Sequence, residues 1–254
     1  MKGMQVLFGQ RSVVQSVAPS GVRRNSTPRY HFIIARRLKI TKALAELIGI
    51  LLGDGSIGIY ESKGYSTHYV VKISFDKILK QEYLSYVNDL LLKVLNERGI
   101  VKHRKESNCS DLFIFKKDVV NLLLSIGLVQ APKWERAIIP KPFLSKALGR
   151  HVLRGYFDSD GSVVLTDNNG VLYPRLEMKI SPSPMQEQFL LLLDQYKFKY
   201  GCYDIGRGKV RIQMNGREQL RKWYAEIGFP NKKHENKARY YFKHKPDQTK
   251  TLNN

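Results

Sequence analysis

Two carboxylates at matching places in a repeated phrase are the strongest chemical signal in this chain. Residues 44–58 read LAELIGILLGDGSIG and residues 151–163 read HVLRGYFDSDGSV. Each is an apolar run that closes on Asp-Gly-Ser and a β-branched residue, so Asp54 and Asp160 hold equivalent positions. One Asp-Gly alone would read as a helix stop, because glycine is the usual terminator. Two copies on helices that pack side by side carry more. Carboxylates at adjacent helix C-termini repel each other and meet the unfavourable end of both dipoles. A divalent cation between them removes both conflicts. Oxygen ligation of this kind suits Mg²⁺, which is held by one or two carboxylates together with substrate phosphate. Such a centre activates water and steadies the leaving oxygen in phosphodiester cleavage.

The elements that must position these acids follow from pattern. A helix is expected from Thr41 to Leu52, with Thr41 as its cap and no proline inside. It is apolar nearly all round, which predicts burial. Gly49 and Gly53 lie on one face, where glycine weakens a helix unless another backbone must come very close. Gly155 and Ser159 repeat that spacing in the second phrase, so these four residues are the expected helix interface. Strand-like runs follow each motif, 56–60 and 68–75 about ESKGYST, then 162–166 and 173–180 about DNNG. Lys72-Ile73-Ser74 recurs as Lys179-Ile180-Ser181. Helical patterns at 78–95 and 184–196 come next, then basic hairpins at 100–115 and 203–214, then the similar phrases LLLSIGL and WYAEIGF. The order predicts an α+β chain built by pseudo-twofold duplication of an αββαββα unit. The expected divisions are a basic arm at 1–40, a first half at 41–131, a linker at 132–150, a second half at 151–245 and a tail at 246–254. Pro132, Pro140 and Pro142 interrupt any long helix in the linker.

Charge points to the partner. The 254 residues carry 43 Lys and Arg against 22 Asp and Glu, a formal net charge of +21. Nucleic acid is the expected partner, since each neutralised phosphate releases counterions; a generic basic protein is the alternative. Lys102 and Arg104 cluster in one hairpin. Arg207, Lys209, Arg211 and Gln213 alternate in the other, which would set them in one row on a strand. Arginine suits guanine and glutamine suits adenine in the major groove. The 14 Tyr and 11 Phe fall mostly at core spacing and are read as packing rather than as a base-stacking platform. Cys109 and Cys202 form no CxxC or Cys/His cluster, against a disulfide framework or zinc finger. No apolar run is long enough for a membrane span. An intracellular, soluble protein is expected, with the cytoplasm favoured. The acid-free segment 1–45 reads equally as an organellar transit peptide or as a DNA-contacting arm.

LIGILLGDG (47–55) and LRGYFDSDG (153–161) resemble, without a gap, the signature of LAGLIDADG homing endonucleases of the intron-encoded, single-chain type with two motifs. The resemblance spans about residues 40–240. It implies two antiparallel sheets forming a DNA-binding saddle around a central pair of motif helices. It implies a site-specific double-strand DNA endonuclease, acting as a monomer on a long asymmetric target. Asp54 and Asp160 would then be the catalytic acids and Mg²⁺ ligands, assisted by the main-chain oxygens of Gly53 and Ser159, with Mn²⁺ or Ca²⁺ as substitutes in binding. Asp158 matches the family's other acid, a packing or capping group. The family's polar group near the end of the second strand has no amide counterpart here, where the chain reads Ser74-Phe75-Asp76-Lys77 and Ser181-Pro182-Ser183. Lys77 and Lys116 are the expected catalytic support. The rival readings are a maturase that binds intron RNA and a non-catalytic DNA-binding regulator; an intein is disfavoured, because no splicing domain flanks the core.

Overall fold

The computed structural model describes residues 39–62, 66–76, 81–104 and 107–244. Its first half runs α1 (Lys42–Leu52), β1 (Gly55–Glu61), β2 (Thr67–Asp76), α2 (Gln81–Leu95), β3 (Ile100–His103), β4 (Cys109–Ile114) and α3 (Lys117–Ile126). A short 3₁₀ turn at Lys141–Leu144 precedes the second half. That half runs α4 (Lys146–Asp160), β5 (Gly161–Asn168), β6 (Val171–Ile180), α5 (Met185–Gln195), β7 (Gly201–Asp204), β8 (Val210–Asn215) and α6 (Arg217–Glu226). A final helix, α7 (Lys232–His244), extends it. The strands form two four-stranded antiparallel sheets, ordered β1-β2-β4-β3 and β5-β6-β8-β7. The repeat in sequence is thus a repeat in topology, and the α+β duplication is the fold.

Local chemistry explains the elements. Thr41 Oγ1 accepts the Leu44 N–H at 3.1 Å and opens α1. Strand residues alternate between a core face and an open face. In the first sheet Ile57, Val71, Ile73, Leu112 and Ile114 are buried, while Ser56, Lys72 and Phe113 share the opposite side. The second sheet buries Val163, Leu176, Met178, Ile212 and Met214 in the same way. Helices cover the core face of each sheet, with α3 against β2 and α6 against β6.

The two halves meet at α1 and α4, the most extensive helix–helix contact of the fold. A Cβ on Gly49 would overlap the Val152 carbonyl oxygen and come within 2.8 Å of the Tyr156 nitrogen. A Cβ on Gly155 would overlap the Glu46 carbonyl oxygen. The backbones therefore touch reciprocally at two glycines. One turn N-terminal of that contact the symmetry breaks. Glu46, 2% exposed, is ion-paired to Arg154 across the interface and accepts the Tyr86 hydroxyl at 2.5 Å. His151 packs nearby, 8% exposed, with no hydrogen-bond partner for either ring nitrogen among the described residues. Burial, reinforced by Arg154, Arg150 and Lys42, lowers its pKa to about 4.

Three features differ from the expectation. Helix α4 starts at Lys146 rather than at His151, so the end of the expected linker is helical. Helix α7 lies beyond the αββαββα unit and packs on β5, where no further element was expected. Arg207 and Lys209 lie in the turn before β8 rather than in its row. That turn has Gly206, Arg207 and Gly208 all at positive φ, a backbone that no strand adopts. The expected arm at 1–40 falls almost wholly outside the described residues, as does Lys77.

Adding a methyl at Gly49 or Gly155 must part the helices. Gly49→Ala and Gly155→Ala are each expected to cost about 3 kcal/mol, from overpacking against backbone that cannot yield, read as a lowered urea midpoint. His151 makes stability pH-dependent. Its folded pKa lies below the unfolded value, so stability is full above about pH 6.5 and falls as the pH drops toward about 4. The loss should be on the order of 2 kcal/mol, and His151→Leu should flatten that acid limb in urea titrations at pH 7 and 4.5.

Candidate active site

Both motif helices deliver their acid as the helix gives way to a strand. Helix α1 ends at Leu52, Gly53 caps it by donating to the Gly49 carbonyl at 3.1 Å, and β1 begins at Gly55. Asp54 sits between, with its carbonyl accepting the Ser74 N–H at 3.2 Å. Helix α4 runs through Asp160, and Gly161 opens β5 while donating to Phe157 O. The two ends are adjacent. A Cβ on Gly53 would overlap Ser159 Oγ and lie 3.4 Å from Asp160 Oδ2. Ser159 Oγ itself turns inward, donating to the carbonyls of Gly155 and Tyr156 at 2.9 and 3.1 Å. Asp54 and Asp160 also act together on Tyr156, whose hydroxyl burial and both acids push well above its ordinary pKa.

A lysine completes this junction. Lys133 Nζ donates to the carbonyl oxygens of Leu51, Leu52 and Gly53 at 3.0, 2.7 and 2.7 Å. It thus satisfies the open carbonyls at the C-terminus of α1 and opposes the negative end of the dipole. Burial lowers the ammonium to about 8, and the carboxylates of Asp160 and Asp54 act against that fall. The segment that carries it is tied to both halves: Ala131 donates to Ile57 O at 2.8 Å and Glu135 donates to Pro182 O at 2.7 Å. Nothing in the periodicity around APKWER points to this role. The available signal was a lysine directly after Pro132, in a segment too short to fold alone.

Lys116 does not join the acids in this way. It pairs with Glu97 at 2.5 Å where α3 begins. Asp158 is 1% exposed and holds the start of α7: its Oδ2 accepts the Asn231 N–H at 3.1 Å, and Asn231 Nδ2 donates to its carbonyl at 2.9 Å. Among the described residues no three His, Cys, Asp or Glu side chains gather as a metal cage. The junction offers two carboxylates and main-chain oxygen, all hard donors. That set fits an ion of the Mg²⁺ type, which keeps several waters and takes phosphate oxygens from a substrate.

On the open face of the first sheet Lys102 Nζ lies 5.5 and 5.4 Å from the ring centres of Phe113 and Phe115. Arg104 is held by Asp111 through two hydrogen bonds of 2.7 and 2.9 Å. On the second sheet Arg211 pairs with Lys179 in the β6–β8 ladder, and Gln213 Nε2 donates to Glu177 Oε1 at 2.9 Å. Lys209 leaves this face and sits 5.4 Å over the Trp134 ring. The expected row of four is therefore two residues, Arg211 and Gln213.

Residues 148–228 match the family model described as a LAGLIDADG-like domain. That match covers most of the second half of the chain, from α4 through α6. Solved structures share this fold over 75–81% of the chain. I-DmoI in complex with DNA and Mn superposes with a TM-score of 0.53 at 16% identity, over 75% of this chain and 98% of that one. The LAGLIDADG meganuclease I-AabMI bound to uncleaved DNA gives 0.53 at 14% identity, over 78% and 88%. I-SmaMI gives 0.57 at 9% identity, over 81% and 90%. A 138-residue stretch is 25% identical to the replication factor C small subunit of Methanocaldococcus jannaschii, covering 54% of this chain and 7% of that protein. The matched stretch is thus a small part of that protein's length. No helix among the described residues is long and apolar enough to cross a membrane.

Within the second half, Asp158 is a buried acid that holds Asn231. Asp158→Ala leaves the Asn231 N–H without its acceptor in a buried place, so it should cost about 2 kcal/mol. The variant is expected to melt earlier and to lose amide protection first at α7 in hydrogen exchange.

Proposed function

We propose that this chain is a divalent-metal-dependent, site-specific DNA endonuclease of the homing type, cutting both strands of a long asymmetric duplex. One observation carries the reading: Asp54 and Asp160 emerge side by side from two helices packed glycine to glycine, each at the start of a four-stranded sheet. I-DmoI and I-AabMI, which share this fold, are described in complexes with DNA. Because one polypeptide carries both halves, it acts as a monomer, with one half on each half-site.

Asp54 and Asp160, with the Ser159 carbonyl and the Gly53 carbonyl that Lys133 also contacts, are the residues that would hold Mg²⁺. When bound, the ion supplies an acidified water and neutralises charge on the scissile phosphate. Each carboxylate lies at one motif, so each serves one strand. Lys133 limits the repulsion between the acids and holds positive charge where a phosphate oxygen gains negative charge. Arg211 and Gln213 contact base edges, and Lys102 and Arg104 contact phosphate or base on the other half-site.

The test is a cleavage assay on a duplex carrying the uninterrupted insertion site of the gene that encodes the protein, with Mg²⁺. Wild type should cut both strands. Asp54→Asn and Asp160→Asn should each abolish the double-strand cut while retaining binding in Ca²⁺, and Lys133→Met should slow the cut by roughly 10²-fold. Unimpaired cutting by both aspartate variants would remove the metal assignment.

A further inference from the structure

The internal repeat lets the two open faces be compared position by position. Lys72 and Lys179 are equivalent through the repeated Lys-Ile-Ser, and each begins a row across its sheet. In the first sheet that row runs Lys72, Phe113, Ile100. In the second it runs Lys179, Arg211, Tyr203. The next row contains Val70 in the first sheet and Glu177 with Gln213 in the second. Two residues beyond Phe113, on the same side, stands Phe115, which matches Gln213. The scaffold is the same and the chemistry is opposite.

The first face is apolar where the second hydrogen-bonds. Phe115 is 51% exposed and Ile100 57%, so neither is core. Phe113 and Phe115 stack at 5.4 Å with their planes 7° apart, making a flat ledge. With Tyr60 the ledge walls a cleft of about 640 Å³, whose polar lining is Ser56, His68, Lys72 and the paired Arg104 and Asp111. Lys102 lies over both rings. An exposed apolar patch of this kind marks a contact surface. Lys72 and Lys102 beside it on the same open face fit a duplex, whose phosphates they would meet. The one apolar group that a base pair displays in the major groove is the thymine C5-methyl.

We propose that the first half recognises its half-site through thymine methyl groups packed on the Phe113–Phe115 ledge, whereas the second half reads purine edges through Arg211 and Gln213. The target is thereby split into a thymine-rich half and a hydrogen-bonded half. This rests on the DNA-endonuclease reading and assigns the specificity of that same surface.

Deoxyuridine lacks only the C5-methyl and keeps Watson–Crick pairing, so it isolates the contact. Duplexes selected by the full-length protein from a randomised pool in Ca²⁺ would be remade with uracil for thymine in one half-site at a time. Binding should weaken about fourfold for each contacted methyl lost, in one half-site only. Phe115→Ala should weaken binding to the thymine duplex and remove most of that uracil sensitivity. Because Phe115 is exposed, the variant should fold; a second variant, Phe115→Leu, should keep part of the sensitivity. Sequence-specific binding that tolerates uracil equally in both half-sites, or a Phe115→Ala protein as sensitive as wild type, would overturn this inference alone. Absence of any sequence-specific duplex binding by wild type would overturn the endonuclease reading as well.

Discussion

The contact of two main chains at Gly49 and Gly155 is the constraint on which the rest of the structure depends. Helices that meet through side chains stand 8–10 Å apart; here each glycine lets the facing carbonyl occupy the space of a Cβ. The approach has two consequences. It fixes the distance between the helix C-termini, because Gly53 and Ser159 touch one turn further on. It also fixes the sheets, because β1 and β5 start immediately after the acids, with no loop to absorb a shift. The position of the acids and the angle of the faces that would receive a ligand are set by one interface.

That geometry concentrates negative potential. Two carboxylates and two sets of open carbonyls converge at the helix ends, and each helix dipole adds to the effect. Lys133 relieves part of it by binding three carbonyl oxygens of α1, and its ammonium loses basicity because burial outweighs the nearby acids. The remaining oxygens are those a hard cation prefers. Asp158 sits a turn-fraction away from Asp160 yet does different work, because Asn231 consumes its carboxylate from the inner side. Two acids separated by one residue on a helix point in different directions, and burial decides their roles.

Sequence made the duplication legible because every copy of the unit needs the same periodicities in the same order, and the glycine spacing only makes sense for touching backbones. Tertiary facts were less accessible. Lys133 lies in a proline-broken segment whose course is set by hydrogen bonds to Ile57 of β1 and to Pro182 just after β6, neither visible as a pattern. Helix α7 shows little apolar period because only His234, Ala238 and Tyr241 are buried, a sparse stripe among charges. In DLFIFKK every other residue is apolar on both faces, so alternation alone cannot say whether Leu112 and Ile114 or Phe113 and Phe115 are buried. The Gly-Arg-Gly of the β7–β8 turn was readable: two glycines that close together signal a turn, which takes Arg207 out of any strand row.

The symmetry is kept where backbones meet and lost where side chains face outward. Gly49 and Gly155 mirror each other, but Glu46 answers to Val152 and Arg154 to Ile48 by the same mirror, so the ion pair forms in one direction only. A first half paired with its own copy would bury two Glu46 side chains without a cation, and leaving a buried charge unpaired costs several kcal/mol. The interface therefore favours the unlike halves over two like ones. Once that pairing is secured within one chain, the open faces no longer have to agree with each other. Phe113 and Arg211 can occupy the same place in the two sheets because the halves meet chiefly through α1 and α4. A conserved backbone contact beneath and unconstrained faces above is the physical condition for a duplicated protein to meet an asymmetric partner.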